Sequence, residues 1–321
     1  MADTATPGWL ARNRHILRFI WPAYACFAVV LVATQLVYGD TLFSWGYYNS
    51  LVVLSSFMLV LALGQGAVIL TGGLDLSVPW TIGLCGILAA GIMAGTNGNI
   101  PLALAAALGA GLLAGLFNGL GVVLLGLSPI VTTLAANGIL QGLALLYSNG
   151  TPDGFAAPGL RWFMTDQSIG VTPVVLSMVL FVGLAVLLLG HTAFGRRVFA
   201  VGNSLRVARL SGVDTGRTMV GVYMLSGLCS ALVGVMLAGF SGQASLGMGD
   251  DYLLPSIAVV VVGGTLITGG RGSYVGMIGG VLLLVALQTL LAGTTLPVAF
   301  RDIIFGLVVL AAVLVLRERA R

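Results

Sequence analysis

No lysine occurs in this chain of 321 residues, and all 14 of its basic side chains are arginines. A nucleotide-binding P-loop sets a lysine against the β- and γ-phosphates, so the chain holds no standard site of that kind. The Gly-rich strings GGLDLS (72–77) and GGRGS (269–273) are therefore not phosphate cradles. Charge of either sign is scarce, at 7% of residues. Of the ten acids only Asp75 falls at or near membrane depth, and neither histidine does. A proton- or sodium-driven carrier usually sets several ionisable groups in its spans, so the sequence is poor in what such a carrier needs. Cysteine is limited to Cys26, Cys85 and Cys229, all in apolar runs without disulfide or metal spacing. No Ser/His/Asp set, HExxH motif or Cys/His cluster is found. Accordingly no catalytic residue, metal ligand or bound cofactor is expected on this chain, and nothing points to nucleic acid.

What is present is apolar. The chain is 58% hydrophobic with a mean hydropathy of +1.08, more than a soluble domain could carry on its surface. Repeated apolar runs of about 16–25 residues predict an all-α, polytopic helical bundle in a lipid bilayer. Ten spans are expected, near 18–38, 50–71, 76–95, 100–126, 128–148, 171–190, 219–240, 253–268, 273–293 and 301–316. The first run follows Arg12, Arg14 and Arg18 like a signal peptide, but it is long and nine more follow, so it reads as a retained anchor. The 47 glycines suit close helix packing, and Gly111/Gly115/Gly119 and Gly272/Gly276/Gly280 form two ladders for that purpose. With the N-terminus inside, twelve of the 14 arginines fall in cytoplasmic segments, and only Arg161 and Arg301 lie outside. The expectation is one transmembrane domain over 1–321, both termini cytoplasmic, with a short inner segment 1–17 and a cytoplasmic loop 191–218.

That loop carries five of the arginines between two long apolar runs. Asn203 or Ser204 can cap a short helix, Leu205-Arg206-Val207-Ala208-Arg209-Leu210-Ser211, that stops at Gly212. Val207 and Leu210, three apart, give it a small apolar face between Arg206 and Arg209. Such a helix is either a docking element for a soluble partner or part of a solvated basic loop.

Two Gly breaks resemble each other, Ile69-Leu70-Thr71-Gly72-Gly73 and Leu266-Ile267-Thr268-Gly269-Gly270, followed by Ser77 and Ser273. Paired Gly-interrupted segments in two halves of a transporter point to its pathway or gate. Asp75 and Arg271 follow these breaks. Either they pair as a latch, or Asp75 caps the next helix while Arg271 reaches the interface. Neutral polar residues within spans, notably Gln65, Asn118, Asn137 and Gln141, suit a hydroxylated solute or bond a neighbouring helix. Asn137 and Gln141 share a helix face. What remains is a passive pathway powered from elsewhere, with a secondary carrier or facilitator of small polar solutes as the alternative.

Three strings carry a resemblance: TGGLDLSV (71–78), AVGNSLRVARLSGV (200–213) with YMLSGLCSALVGVMLA (223–238), and PSIAVVVVGGTLITGGRGSYVG (255–276). In order and spacing, from about residue 50 onward, the chain resembles the permease subunits of bacterial ABC importers for monosaccharides, the ribose/xylose/arabinose/galactose type. The resemblance implies a type II-like permease fold in the bacterial inner membrane and pairing with a second, identical or paralogous, permease subunit. It also implies a cytoplasmic ATP-binding subunit that holds ATP and Mg, and a periplasmic sugar-binding protein. Residues 203–212 then correspond to the coupling helix, and the exterior loops 154–167 and 241–252 would receive the binding protein. Pro79-Trp80 departs from the family, which usually has a small residue after Ser-Val; proline in a helix's first turn is tolerated.

Overall fold

The computed structural model describes residues 14–39, 44–168 and 170–318. The N-terminal segment 1–13 with Arg12, Asp40, and the last residues Arg319 and Arg321 lie outside the described residues. Among the described residues there is no strand, and the single bridge joins Phe155 to Gln243. The helices are α1 (Arg14–Tyr38), α2 (Trp45–Leu70), α3 (Val78–Met93), α4 (Ile100–Val123), α5 (Pro129–Ser148) and α6 (Pro158–Thr165). They continue with α7 (Pro173–His191), α8 (Ala193–Asn203), α9 (Leu205–Leu210), α10 (Thr215–Ser241), α11 (Leu253–Val262), α12 (Tyr274–Ala292) and α13 (Val298–Glu318).

Local chemistry sets these ends. Proline occupies the first turn of α3, α4, α5, α6 and α7, where its missing N–H would have had no helical partner. Helix α2 closes with the N–H of Gly73 on Val68 O and that of Gly72 on Ile69 O. Helix α11 repeats the device, with Thr265 N on Val260 O and Gly264 N on Val261 O. The backbone needs a positive φ at Gly72 (82°) and Gly264 (87°), which glycine adopts without strain.

Seven helices among the described residues are long and apolar enough to cross a membrane, so the chain is a polytopic helical membrane protein. Every expected span contains a helix, but α3, α11 and α13 are not among these seven, so seven of the ten expected crossings meet that measure. Helix α3 has 16 residues. The expected span 253–268 is corrected: α11 has ten residues and stops at Val262. Its rise, about 15 Å, is roughly half of a ~30 Å hydrocarbon layer. Gly263 and Gly264 end it, and residues 263–273 turn back into the bundle, where Leu266 N bonds Arg271 O. The second TGG therefore lies in this turn and does not end a helix, unlike the first.

The centre of the bundle is α2, α3 and α10, with α4 packed on α10 and α12 packed on α1, α2 and α11. Both glycine ladders serve contacts between backbones. A Cβ on Gly111 or Gly115 would run into the carbonyls of Gly227 and Tyr223 on α10. One on Gly276 or Gly280 would run into those of Gly263, just past the end of α11, and Val259 on α11. Without side chains in the way the axes approach closely, and dispersion between backbones supplies attraction that hydrophobicity cannot supply inside lipid.

Candidate functional site

Three groups of the residues singled out in the sequence meet at the end of the bundle that carries residues 191–217. The first is the short helix. Ser204 caps α9, its hydroxyl accepting from Val207 N at 3.3 Å, while Asn203 is the last residue of α8. Gly212, at φ 79°, closes α9: Gly212 N bonds Arg209 O and Val213 N bonds Ala208 O. Ala208 faces inward, whereas Leu205, Val207 and Leu210 are exposed, Leu210 to 83%. The apolar face expected between Arg206 and Arg209 is therefore present and uncovered. Sequence reading missed α8 itself, which Thr192 starts by accepting from Gly195 N.

The second group is the pair of breaks, which touch. Gly270 N donates to Leu70 O at 2.9 Å, joining the end of α2 to the turn after α11. A Cβ on Gly269 would stand 2.8 Å from Gly72 N. The end of α8 lies on the same spot: Asn203 Nδ2 donates to Gly270 O at 3.2 Å and to Phe199 O at 2.8 Å. Gly202 comes so close that a Cβ would overlap Leu70 O and stand 2.6 Å from Gly270 N.

The third group surrounds Asp75, which is 1% exposed. Its Oδ1 accepts from Ser77 N at 3.0 Å, Ser77 Oγ at 2.6 Å and Asn118 Nδ2 at 3.5 Å, and its Oδ2 accepts from Ser226 Oγ at 2.6 Å. Asn118 Nδ2 also donates to Ser77 Oγ at 2.8 Å. Four donors from neutral groups, just ahead of the N-terminus of α3, hold a carboxylate that would otherwise be costly at this depth. Thr133 of α5 accepts from Leu76 N at 3.0 Å, tying that helix to the same segment. The segment 71–77 is thus bonded to α4, α5 and α10 at once. Gly73 leaves room for Tyr223, whose hydroxyl would stand 2.6 Å from a Cβ there.

The latch between Asp75 and Arg271 is not formed. Arg271 is exposed, Asp75 is enclosed by hydroxyls and amides, and the one ion pair among the described residues joins Asp214 to Arg217. Asp75 organises the turn before α3 through Ser77, which is itself the N-cap, and bonds no amide of the helix's first turn. Asn137 and Gln141 also part company. Asn137 Oδ1 accepts from Trp80 N at 3.3 Å, serving a helix-start amide beside Pro79, whereas Gln141 is exposed on the outer surface of α5. Gln65 is 1% exposed, and neither atom of its amide has a hydrogen-bond partner. Ser226, Tyr223 and Gly202 were not singled out in the sequence, although each lies in a string that carried the resemblance.

At the opposite end of the bundle, Ala156 N bonds Gly242 O and holds together the two loops before α6 and after α10. Trp162 and Phe155 are exposed there. Ser168 donates to Asp166 through its hydroxyl and amide and holds that carboxyl below its usual range. A cavity of about 430 Å³ lies between the ends of α3 and α5, lined by Tyr147, Asn149, Thr151 and Asp153 among others.

Residues 47–313 match the family described as branched-chain amino acid transport system / permease component. The chain is 33% identical to the autoinducer 2 import system permease protein LsrC of Enterobacter sp. (strain 638) over 97% of this chain and 89% of that protein. It is 32% identical to the ribose import permease protein RbsC of Escherichia coli (strain K12), over 97% and 95% of the two chains. With the RbsC of Bacillus subtilis (strain 168) it shares 36% identity over 81% of each. No solved structure matches the chain.

The Asp75 cluster makes a sharp prediction. Asn at position 75 keeps an acceptor for Ser77 N and turns its amide toward the Ser226 hydroxyl, which is able to accept. Asp75→Asn should therefore cost about 1 kcal/mol, and Asp75→Leu, which orphans buried donors, about 3 kcal/mol or more. Thermal unfolding in mild detergent measures both, and equal losses would mean that the charge itself is required.

Proposed function

The chain belongs to the family of branched-chain amino acid transport system permease components, and we propose that it forms the membrane pathway of an ATP-driven sugar importer. A permease component of this kind is a transport subunit and not an enzyme. Its relatives are permease proteins of ribose and autoinducer 2 import systems, which supports a monosaccharide-sized, hydroxyl-rich solute here. The observation that carries the reading is α9: a helix capped at both ends whose apolar residues, Val207 and Leu210, face outward between two arginines. An exposed apolar face on a rigid, capped helix is suited to a groove on another protein.

In this reading α9 enters a cytoplasmic ATP-binding subunit, which holds ATP and Mg²⁺. Two permease copies, identical or paralogous, enclose the pathway between them. Closure of the ATPase pair moves the α9 helices, and the pathway opens toward a periplasmic binding protein that delivers the sugar. The loops 154–167 and 241–252, which expose Phe155, Trp162 and Asp251, are the surface offered to that protein. The two termini and the 191–217 end lie in the cytoplasm, an orientation supported by the arginine distribution.

Two experiments test this. Val207→Asp sets a charge in the apolar contact and should lower ATP-dependent uptake by about tenfold or more, with insertion intact and the ATPase subunit lost on purification. Retention of both the subunit and uptake would remove α9 from the docking role, and uptake by the isolated chain under a proton gradient would favour a carrier.

For orientation, cysteines replacing Trp162 and Asp251 in a protein with Cys26 changed to Ser should react with an impermeant thiol reagent applied from the periplasm. One replacing Arg206 should not. Reversed labelling would place α9 on the wrong side for any ATPase.

A further inference from the structure

We propose that Gly202 and Asn203 are positioning residues that bind both Gly breaks to the docking helix, so that the seam between Leu70 and Gly270 moves with α9 as one joint. This rests on the import reading above, and adds to it a specific path from the docking surface to the membrane segments. Asn203 is followed directly by Ser204, the cap of α9, so displacement of α9 reaches Asn203 without slack. From there two routes run inward, both at contact distance. One is the Asn203 amide on the Gly270 carbonyl at 3.2 Å. The other is Gly202 against Leu70 O, a carbonyl that already accepts from Gly270 N at 2.9 Å.

Each side of the seam is anchored differently, which gives the joint its use. The Leu70 side runs into Gly72, Gly73 and Asp75, and through Ser226, Asn118 and Thr133 into α10, α4 and α5. The Gly270 side runs into the start of α12, which packs on α1 and α2. The pieces on either side are stiff helices, and the residues between them are glycines with positive φ: Gly72, Gly269 and Gly270. A rotation imposed on α9 is therefore absorbed at the breaks and not within the helices. Glycine at 202 is required by the same geometry, because any side chain would wedge α8 away from the seam.

The test uses the complete importer, reconstituted in liposomes with its ATPase and binding protein and D-ribose as the probe, and reads ATP hydrolysed per sugar imported. Gly202→Ala and Asn203→Ala should each raise that ratio by about threefold to tenfold, while the ATPase subunit stays bound in its normal proportion. Asn203→Ala adds no bulk, so it carries the test if Gly202→Ala fails to fold. Gly183→Ala, facing open space on α7, should leave the ratio at its starting value. Normal ratios in both seam variants would overturn the proposal, and so would loss of the ATPase subunit, which would make these residues part of docking itself. A wild-type complex without ATP-dependent uptake would defeat the import reading before any variant is measured.

Discussion

One backbone hydrogen bond, Gly270 N to Leu70 O, holds together two segments two hundred residues apart in sequence, and the end of the bundle that carries residues 191–217 is arranged around it. Neither segment could make it as a regular helix. Helix α2 must stop at Leu70 so that the carbonyl is free, and α11 must stop at Val262 so that the chain can return. The glycines on both sides follow from this. At Gly202 and Gly269 the partner is backbone, and a side chain would stand in its place. Broken helices are tolerated at membrane depth only where protein covers the freed backbone groups. Here the end of α8 supplies that cover.

A second constraint is electrostatic. Asp75 is buried, 1% exposed, and no cation among the described residues reaches it. Serine hydroxyls, an asparagine amide and one backbone N–H take that role. Because the donors come from three separate helical elements, the carboxylate is also a tie between them. Losing it would cost more than one hydrogen bond, since every donor would be left unpaired. A different rule holds at α9, where the apolar side chains of Leu205, Val207 and Leu210 are left bare.

Much of the architecture was legible in residue types. Apolar runs located the membrane helices, whereas α6, within 154–167, was read as loop because eight residues leave no long apolar run. The Ser204 and Gly212 caps of α9 follow from simple propensities. The glycine ladders read correctly because spacing by four makes one face of a helix, whatever the partner. What sequence could not show was how far α11 extends, since Gly263-Gly264 in an apolar run is also compatible with an unbroken membrane helix. It could not place Asp75 against Ser226, 151 positions away. Long-range partners are set by packing, and hydropathy carries no record of them. The Asp75–Arg271 pairing failed for that reason: opposite signs at similar positions in two breaks say nothing of which way the side chains point.

The most direct measurement of the shared joint is amide hydrogen exchange in the assembled complex, followed with the ATPase subunits empty and then held by a non-hydrolysable ATP analogue. If the seam moves as one joint with α9, peptides covering 68–77 and 263–273 should change their exchange together between the two states. The middle of α10 should keep its protection in both. A change confined to one of the two peptides, or no change in either while the complex imports sugar, would contradict a seam that links both breaks to α9.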